Sequence, residues 1–291
     1  MIDFAIYAFT LIAVWAVMAI SLNIQFGMTG LVNFGQILPF AIGAYAVAIG
    51  ADLGVPWWVG VLAGVVAAPL VGLIVILPAR RASQDYWALI TLGAGELFRL
   101  IMLNVPSIAG GADGVTVSRL ADRNLALGLG LALLVAAYAV AQRISTAPLG
   151  RMLRVIREDE VLAGTLGRNP MSFRSTVTAV SWIMAGAAGV LYAYVIGYVA
   201  PTSFLVTDTF IVWTAVILGG PGRNVGVVFG AAIIILLGAS TRFLAEWTGL
   251  SSDLVANLRL AVFGLVLVLM FLFRPDGLFP ERRRLHDVDG R

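Results

Sequence analysis

Nine apolar runs alternate with short polar breaks along the 291 residues of the chain. They cover 4–22, 31–50, 57–78, 86–105, 124–142, 175–199, 206–220, 225–241 and 256–273. A helix needs roughly 20 mostly apolar residues to cross the hydrocarbon core of a bilayer. Most of these runs come close to that length, and 206–220 is the shortest. The pattern predicts an all-α protein, a polytopic transmembrane helical bundle of about nine spans (8–10) forming a single domain over 1–291.

One break differs from the rest. Residues 143–174 carry six arginines (Arg143, Arg151, Arg154, Arg157, Arg168, Arg174) and the consecutive acids Glu158, Asp159 and Glu160. Pro148 and Gly150 open the segment, and Gly167 with Pro170 closes it, which are helix start and stop signals. Between them Leu149, Met152, Leu153 and Ile156, then Val161, Leu162 and Leu166, recur at helical spacing. One continuous helix would place arginines in its first turn and acids in its middle, against the helix dipole. Two short helices resolve this: one running to about Arg157, the other starting at Glu158–Asp159–Glu160 and ending at Gly167. Such a segment either docks a partner, stands solvated, or lies on the lipid surface.

Two features lie within the apolar runs. The stretch 23–50 has no charge, but it contains Gly27, Gly30, Gly35, Gly43, Gly50 and Pro39 together with Asn23, Gln25, Thr29, Asn33 and Gln36. One reading is close helix packing with amides bonding across helices. The other is an interrupted helix lining a polar cavity, with Asn23, Gln25, Asn33 and Gln36 as candidate translocation-path residues, because broken backbone at membrane depth must be buried or line such a cavity. The fourth run carries Glu96 and Arg99, which share a helix face and form an intramembrane pair. Charges there are costly and raise a functional question, although a self-neutralising pair also answers it.

Composition narrows the class. The chain is 60% hydrophobic and 12% charged, against about 25% charged in soluble domains, and its mean hydropathy is +0.96. It has no cysteine and a single histidine, His286. Disulfides, thiolate metal sites, multi-histidine sites and a buried histidine triad are therefore excluded. The first run lacks a basic leader and a cleavage site, so it reads as a retained span. The motif GGPGRN at 219–224 lacks the lysine and hydroxyl of a phosphate loop and reads as a tight turn. Every basic residue is arginine. With the C-terminus inside, fourteen arginines fall on the inner side (80, 81, 143, 151, 154, 157, 168, 174, 223, 274, 282, 283, 284, 291), four on the outer (119, 123, 242, 259), and Arg99 in a span. This bias places 143–174 and the tail 274–291 in the cytoplasm and, for nine spans, the N-terminus outside. It accounts for the high pI without nucleic acid.

Four blocks carry a resemblance to a known family: FGMTGLVNFGQ (26–36) with AIGAYA (41–46); DYWALITLGAGELFRLI (85–101) with GGADGV (110–115); PLGRMLRVIREDEVLAGTLGRNP (148–170) with AGAAGVLYA (185–193); and ILGGPGRNVGVVFGA (217–231) with LFRPDGLF (272–279). In this order and spacing, across nearly the whole chain, the sequence resembles the permease subunits of branched-chain amino acid ABC importers. The resemblance implies a multi-pass protein of the bacterial inner membrane that is not itself an enzyme and binds no cofactor. ATP and Mg would sit on two partner ATPase subunits. A second, paralogous permease and an extracytoplasmic substrate-binding protein would complete the assembly. The ATPase would dock on 148–170, through Arg151, Met152, Ile156, Glu158, Asp159, Glu160, Leu162 and Gly167. Here Leu162-Ala163-Gly164 departs from the usual alanine-rich pair, and Gly164 weakens the second helix by about 1 kcal/mol relative to alanine. Urea, short amides or other amino acids are alternative substrates. An ion-coupled transporter or a membrane scaffold is the rival class.

Overall fold

A computed structural model describes residues 2–79, 84–107, 110–120, 122–165, 167–248, 252–274 and 276–280. Leu166, the arginines 80, 81, 282–284 and 291, and His286 lie outside the described residues, as does most of the tail 274–291. The helices are α1 (Ile2–Thr29), α2 (Ile37–Asp52), α3 (Trp57–Ala79), α4 (Gln84–Asn104), α5 (Arg123–Thr146), α6 (Pro148–Glu158), α7 (Glu160–Thr165), α8 (Pro170–Ile196), α9 (Val206–Gly219), α10 (Asn224–Thr248) and α11 (Ser252–Phe273). Each apolar run has its helix. Among the described residues, six stretches are long and apolar enough to cross a membrane: Asp3–Thr29, Trp57–Leu77, Tyr86–Asn104, Arg123–Thr146, Pro170–Ile196 and Pro201–Gly219. Three shorter apolar helices, Ile37–Asp52, Asn224–Ser240 and Leu260–Met270, join them, so the expected count of about nine is approximate.

The centre of the bundle is α2 crossing α8 and α3 at glycines. A Cβ at Gly43 would strike the Gly186 carbonyl oxygen, and one at Gly189 would strike that of Phe40. Gly64 of α3 completes the crossing, 3.0 Å from the Gly43 carbonyl at its Cβ position. Small residues let backbones approach closely where lipid provides no hydrophobic drive between helices. Around this crossing Trp182, Phe40, Met18, Ile20, Leu22 and Ile24 are fully buried.

The first two helices depart from their expected bounds. α1 does not stop at residue 22 but continues through Asn23 and Gln25 to Thr29, and α2 begins at Ile37 rather than at 31. The polar residues of the last α1 turns face protein partners, so the helix is not obliged to end where its hydrophobicity does. Gly30, at φ 71°, ends α1 by returning its amide to the Phe26 carbonyl (2.9 Å).

At one end of the bundle the segment 276–280 folds back onto the turn that joins α9 and α10. Leu278 N donates to Leu218 O (2.9 Å) and Phe279 N to Gly219 O (3.2 Å). Two carbonyls that a helix C-terminus would otherwise leave open are thereby satisfied. Arg223 Nη1 donates to Pro280 O (3.0 Å), and the Phe279 ring stacks on Phe229 at 5.5 Å. The GGPGRN and FRPDGLF motifs are thus two halves of one structure. At the other end, strands β1 (Val115–Thr116) and β2 (Tyr198–Val199) pair antiparallel, and Arg119 Nε donates to Val195 O (2.9 Å). Asp3 and Arg123 form an exposed ion pair at this same end (2.9 Å).

Candidate functional site

The charged segment forms an elbow. Pro148 starts α6 at a position where its missing N–H costs nothing, directly after the extended Ala147. Gly150 lies against the Ile144 and Ser145 carbonyls, so the sharp turn from α5 has no room for a side chain there. α6 ends at Glu158. Asp159 is extended (φ −152°), and its Oδ1 accepts from Leu162 N (3.0 Å), capping the start of α7. The break falls where the charge order places it, but α7 stops at Thr165, short of Gly167, which is exposed with φ 73°. Gly164 in so short a helix favours that early end.

Not all of the residues expected to dock a partner are exposed on the elbow. Ile156 is 1% exposed and packs inward with Leu153 and Gly150, so it belongs to the chain's own core and offers no anchor to a partner. Met152 is half-buried. Glu160 is bound by Arg174 in a bidentate pair (2.8 and 2.8 Å). On the outer surface stand Val161 (76% exposed) and Leu162 (50%), with Arg151, Glu158, Asp159 and Gly167 exposed around them. Val161 was not among the expected contacts; its place beside Leu162 at the start of α7 is the signal that points to it.

α6 is fastened to the transmembrane core through Arg157. Its Nη1 donates to the Gly27 carbonyl in the last turn of α1, and its stem lies 3.2 Å from the Cβ position of Gly30. A cation there complements both an open helix carbonyl and the negative end of the α1 dipole.

Asn23, Gln25, Asn33 and Gln36 are all fully buried. The helix interruption expected between α1 and α2 is present, but in this conformation the four amides line no open cavity. Three of them bond to one another. Gln25 Nε2 donates to Gln36 Oε1 (3.2 Å) and Ser181 Oγ (2.6 Å), Asn33 Nδ2 donates to Gln25 Oε1 (3.1 Å) and Gln36 Oε1 (2.9 Å), and Gln36 Nε2 donates to Ser21 Oγ (2.7 Å). Asn23 belongs to a second group: its Nδ2 donates to Asn224 Oδ1 (3.0 Å), and its Oδ1 accepts from Gly222 N (2.8 Å). The chain between the helices is held by side chains. Trp213 Nε1 donates to Asn33 O (2.9 Å), and Thr91 Oγ1 and Thr209 Oγ1 accept from Phe34 N and Ile37 N (3.2 Å each). Buried irregular backbone needs such partners. Ser21, Ser181, Thr91, Thr209 and Trp213 were not foreseen, because each lies on a run whose own pattern gives no reason to single it out, and Asn224 closes the GGPGRN motif, whose reading as a turn names no partner for it.

Glu96 and Arg99 do pair. Arg99 Nε donates to Glu96 Oε2 (2.9 Å) and Nη2 to Oε1 (2.5 Å). Among the described residues, no cluster of His, Asp or Glu could hold a metal.

With this geometry in view, the likeness to known proteins is informative. The family model described as "Branched-chain amino acid transport system / permease component" matches residues 4–271. The chain is 31% identical to the high-affinity branched-chain amino acid transport system permease protein LivM of Escherichia coli (strain K12), over 94% of this chain and 69% of that protein. It is 28% identical to the probable branched-chain amino acid transport permease protein LivM of Methanocaldococcus jannaschii, over 91% and 90% of the two chains. A solved structure, PsaBC from Streptococcus pneumoniae in complex with Fab, matches with a TM-score of 0.47 at 15% identity, over 89% of each chain. The chain belongs to the family of branched-chain amino acid transport system permease components.

Proposed function

We propose that this chain is one permease half of an ATP-driven importer of branched-chain amino acids. It forms half of the translocation path and couples to a separate ATPase through the α6–α7 elbow. Two ATPase subunits, carrying ATP and Mg, a second permease and an extracytoplasmic binding protein complete the transporter. The elbow and the C-terminus face the cytoplasm, and the β1–β2 end faces outward. The substrate class comes from what the relatives are named for. The observation that carries the coupling claim is the exposed pair Val161 and Leu162 on an elbow fastened to α1 by Arg157.

The route of coupling follows from the contacts. ATP binding closes the ATPase pair and displaces the docked elbow. Arg157 passes the displacement to the end of α1. The interrupted segment 30–36 begins there; its backbone bonds to Thr91 of α4 and Trp213 of α9, and the side chains of Gln25 and Gln36 reach Ser181 of α8. A helix break held by many tertiary hydrogen bonds can adopt a second arrangement without a continuous helix having to bend.

Docking is tested by Val161→Asp and Leu162→Asp, each measured by the ATPase that co-purifies. Truncating an interface anchor costs about 2 kcal/mol or more, and placing a charge there costs at least as much. Each variant should insert normally and lose most of the bound ATPase. Wild-type levels of ATPase with both variants would remove the elbow from the docking surface.

A further inference from the structure

We propose that the face of α4 bearing Gly93, Glu96 and Arg99 borders a water-filled path, and that Glu96 and Arg99 there receive the zwitterionic head group of an α-amino acid. This rests on the importer reading above. Among the ionisable groups of α4, the two sit well inside the helix, yet their side chains remain 37% (Glu96) and 20% (Arg99) exposed on the isolated subunit. The rest of the same stretch behaves as a membrane span, with Leu89, Leu97 and Ile101 exposed beside them. Ionised side chains at membrane depth face a protein interior or water, not lipid. The subunit itself does not bury this pair, so the surface they occupy is one that lipid does not cover.

The neighbouring backbone supports an open surface. A Cβ at Gly93, one helical turn before Glu96, would meet nothing within 4 Å. The opposite side of α4, through Thr91, Gly95, Phe98 and Met102, is the side turned to the bundle. A carboxylate and a guanidinium three residues apart lie about 5–6 Å from each other at Cβ, so both side chains can reach one small molecule from the same helix face. Without ligand, the two groups neutralise each other. With ligand, Glu96 takes the ammonium and the Arg99 fork takes the carboxylate as charge-assisted bonds. The exchange leaves no lone charge at either stage and favours weak, reversible binding, which a path requires. Two cationic or two anionic groups would not have this property.

The chain has no native cysteine, so accessibility can be read cleanly in the assembled transporter in proteoliposomes. Gly93→Cys should react with a water-soluble thiol reagent and be protected several-fold during turnover with leucine-loaded binding protein. Leu265→Cys, on an exposed apolar α11 face (57%) without charged neighbours among the described side chains of α11, serves as the comparison. A Gly93→Cys rate no faster than that of Leu265→Cys, or one unaffected by leucine, overturns the proposal. In a second arm, Glu96→Gln with Arg99→Gln keeps volume and neutrality. Leucine uptake should fall at least tenfold while the ATPase still co-purifies, and uptake within twofold of wild type overturns the proposal. Should that double variant fail to assemble, Glu96→Arg with Arg99→Glu retains the intrahelical bridge and is judged by the same two thresholds. The labelling arm leaves both charges in place and decides the matter if neither double variant assembles. If the wild-type assembly moves no leucine, the importer reading fails for that substrate, while the Gly93→Cys rate still reports whether the face is wet.

Discussion

A methyl group at Gly189 would meet the Phe40 carbonyl, whereas one at Gly264 would meet nothing within 4 Å. Overpacking a tight contact costs about 1–3 kcal/mol, while replacing a helical glycine at an open site gains up to about 1 kcal/mol. Gly189→Ala should therefore lower the melting temperature in detergent, and Gly264→Ala should hold or raise it; equal shifts would mean that the α2–α8 crossing is looser than described. The amide knot allows a second comparison. Gln25→Leu removes the donor to Ser181 and one of the two acceptors of Asn33 Nδ2, each unsatisfied buried group costing about 1–3 kcal/mol. It should destabilise far more than Gln142→Leu, whose residue is exposed and accepts one bond from Asn224; a smaller loss at Gln25 would show that water can replace the knot. At this scale the sequence is half legible. Asn23, Gln25, Asn33 and Gln36 stand out because uncharged amides in an apolar run need partners. Their partners do not, since Ser181 and Asn224 lie more than a hundred positions away and hydropathy carries no pairing information.

The elbow is the element whose sequence says most. Its two helices and a break among the three acids follow from charge order, although Glu158 closes α6 instead of opening α7, and the Asp159 cap on α7 emerges only in the structure. The periodicity shows that α6 has an apolar face but cannot show what covers it, and the face carrying Leu153 and Ile156 is covered by the chain itself. Arg157 is likewise an ordinary arginine until its contact with Gly27 is seen. Arg157→Gln shortens that reach and loses its charge. The ATPase should still co-purify, because the exposed residues of α7 are unchanged, but uptake per ATP hydrolysed should drop several-fold. Loss of the ATPase itself would mean that Arg157 shapes the docking surface instead of passing motion to α1. The carboxyl-terminal motif teaches the same lesson. FRPDGLF and GGPGRN are each visible in the sequence, but their joining, through the hydrogen bonds from Leu278 and Phe279 to the end of α9 and from Arg223 to Pro280, is not.

Across the whole molecule the two ends are chemically unlike. The elbow, the α9–α10 turn and the folded-back segment 276–280 share one end, while β1–β2, Asp3 and Arg119 share the other. The proposed orientation, which the arginine bias favours, puts the first in the cytoplasm. A cysteine introduced at Thr165 should react only from the cytoplasmic side and one at Ala112 only from outside; the reverse pattern would invert the molecule and exclude the elbow from ATPase docking. The helical membrane class was legible, and the number of spans approximately, because hydrocarbon imposes span length. Which faces meet partner subunits was not, since one subunit's exposed apolar surface serves lipid and protein alike. The most direct test of the account is uptake of radiolabelled leucine into proteoliposomes with each component omitted in turn. ATP-dependent uptake should require this chain, the second permease, the ATPase and the binding protein together, and this chain alone should give none. Uptake by this chain without the ATPase, whether driven by ATP or by an ion gradient, would contradict it.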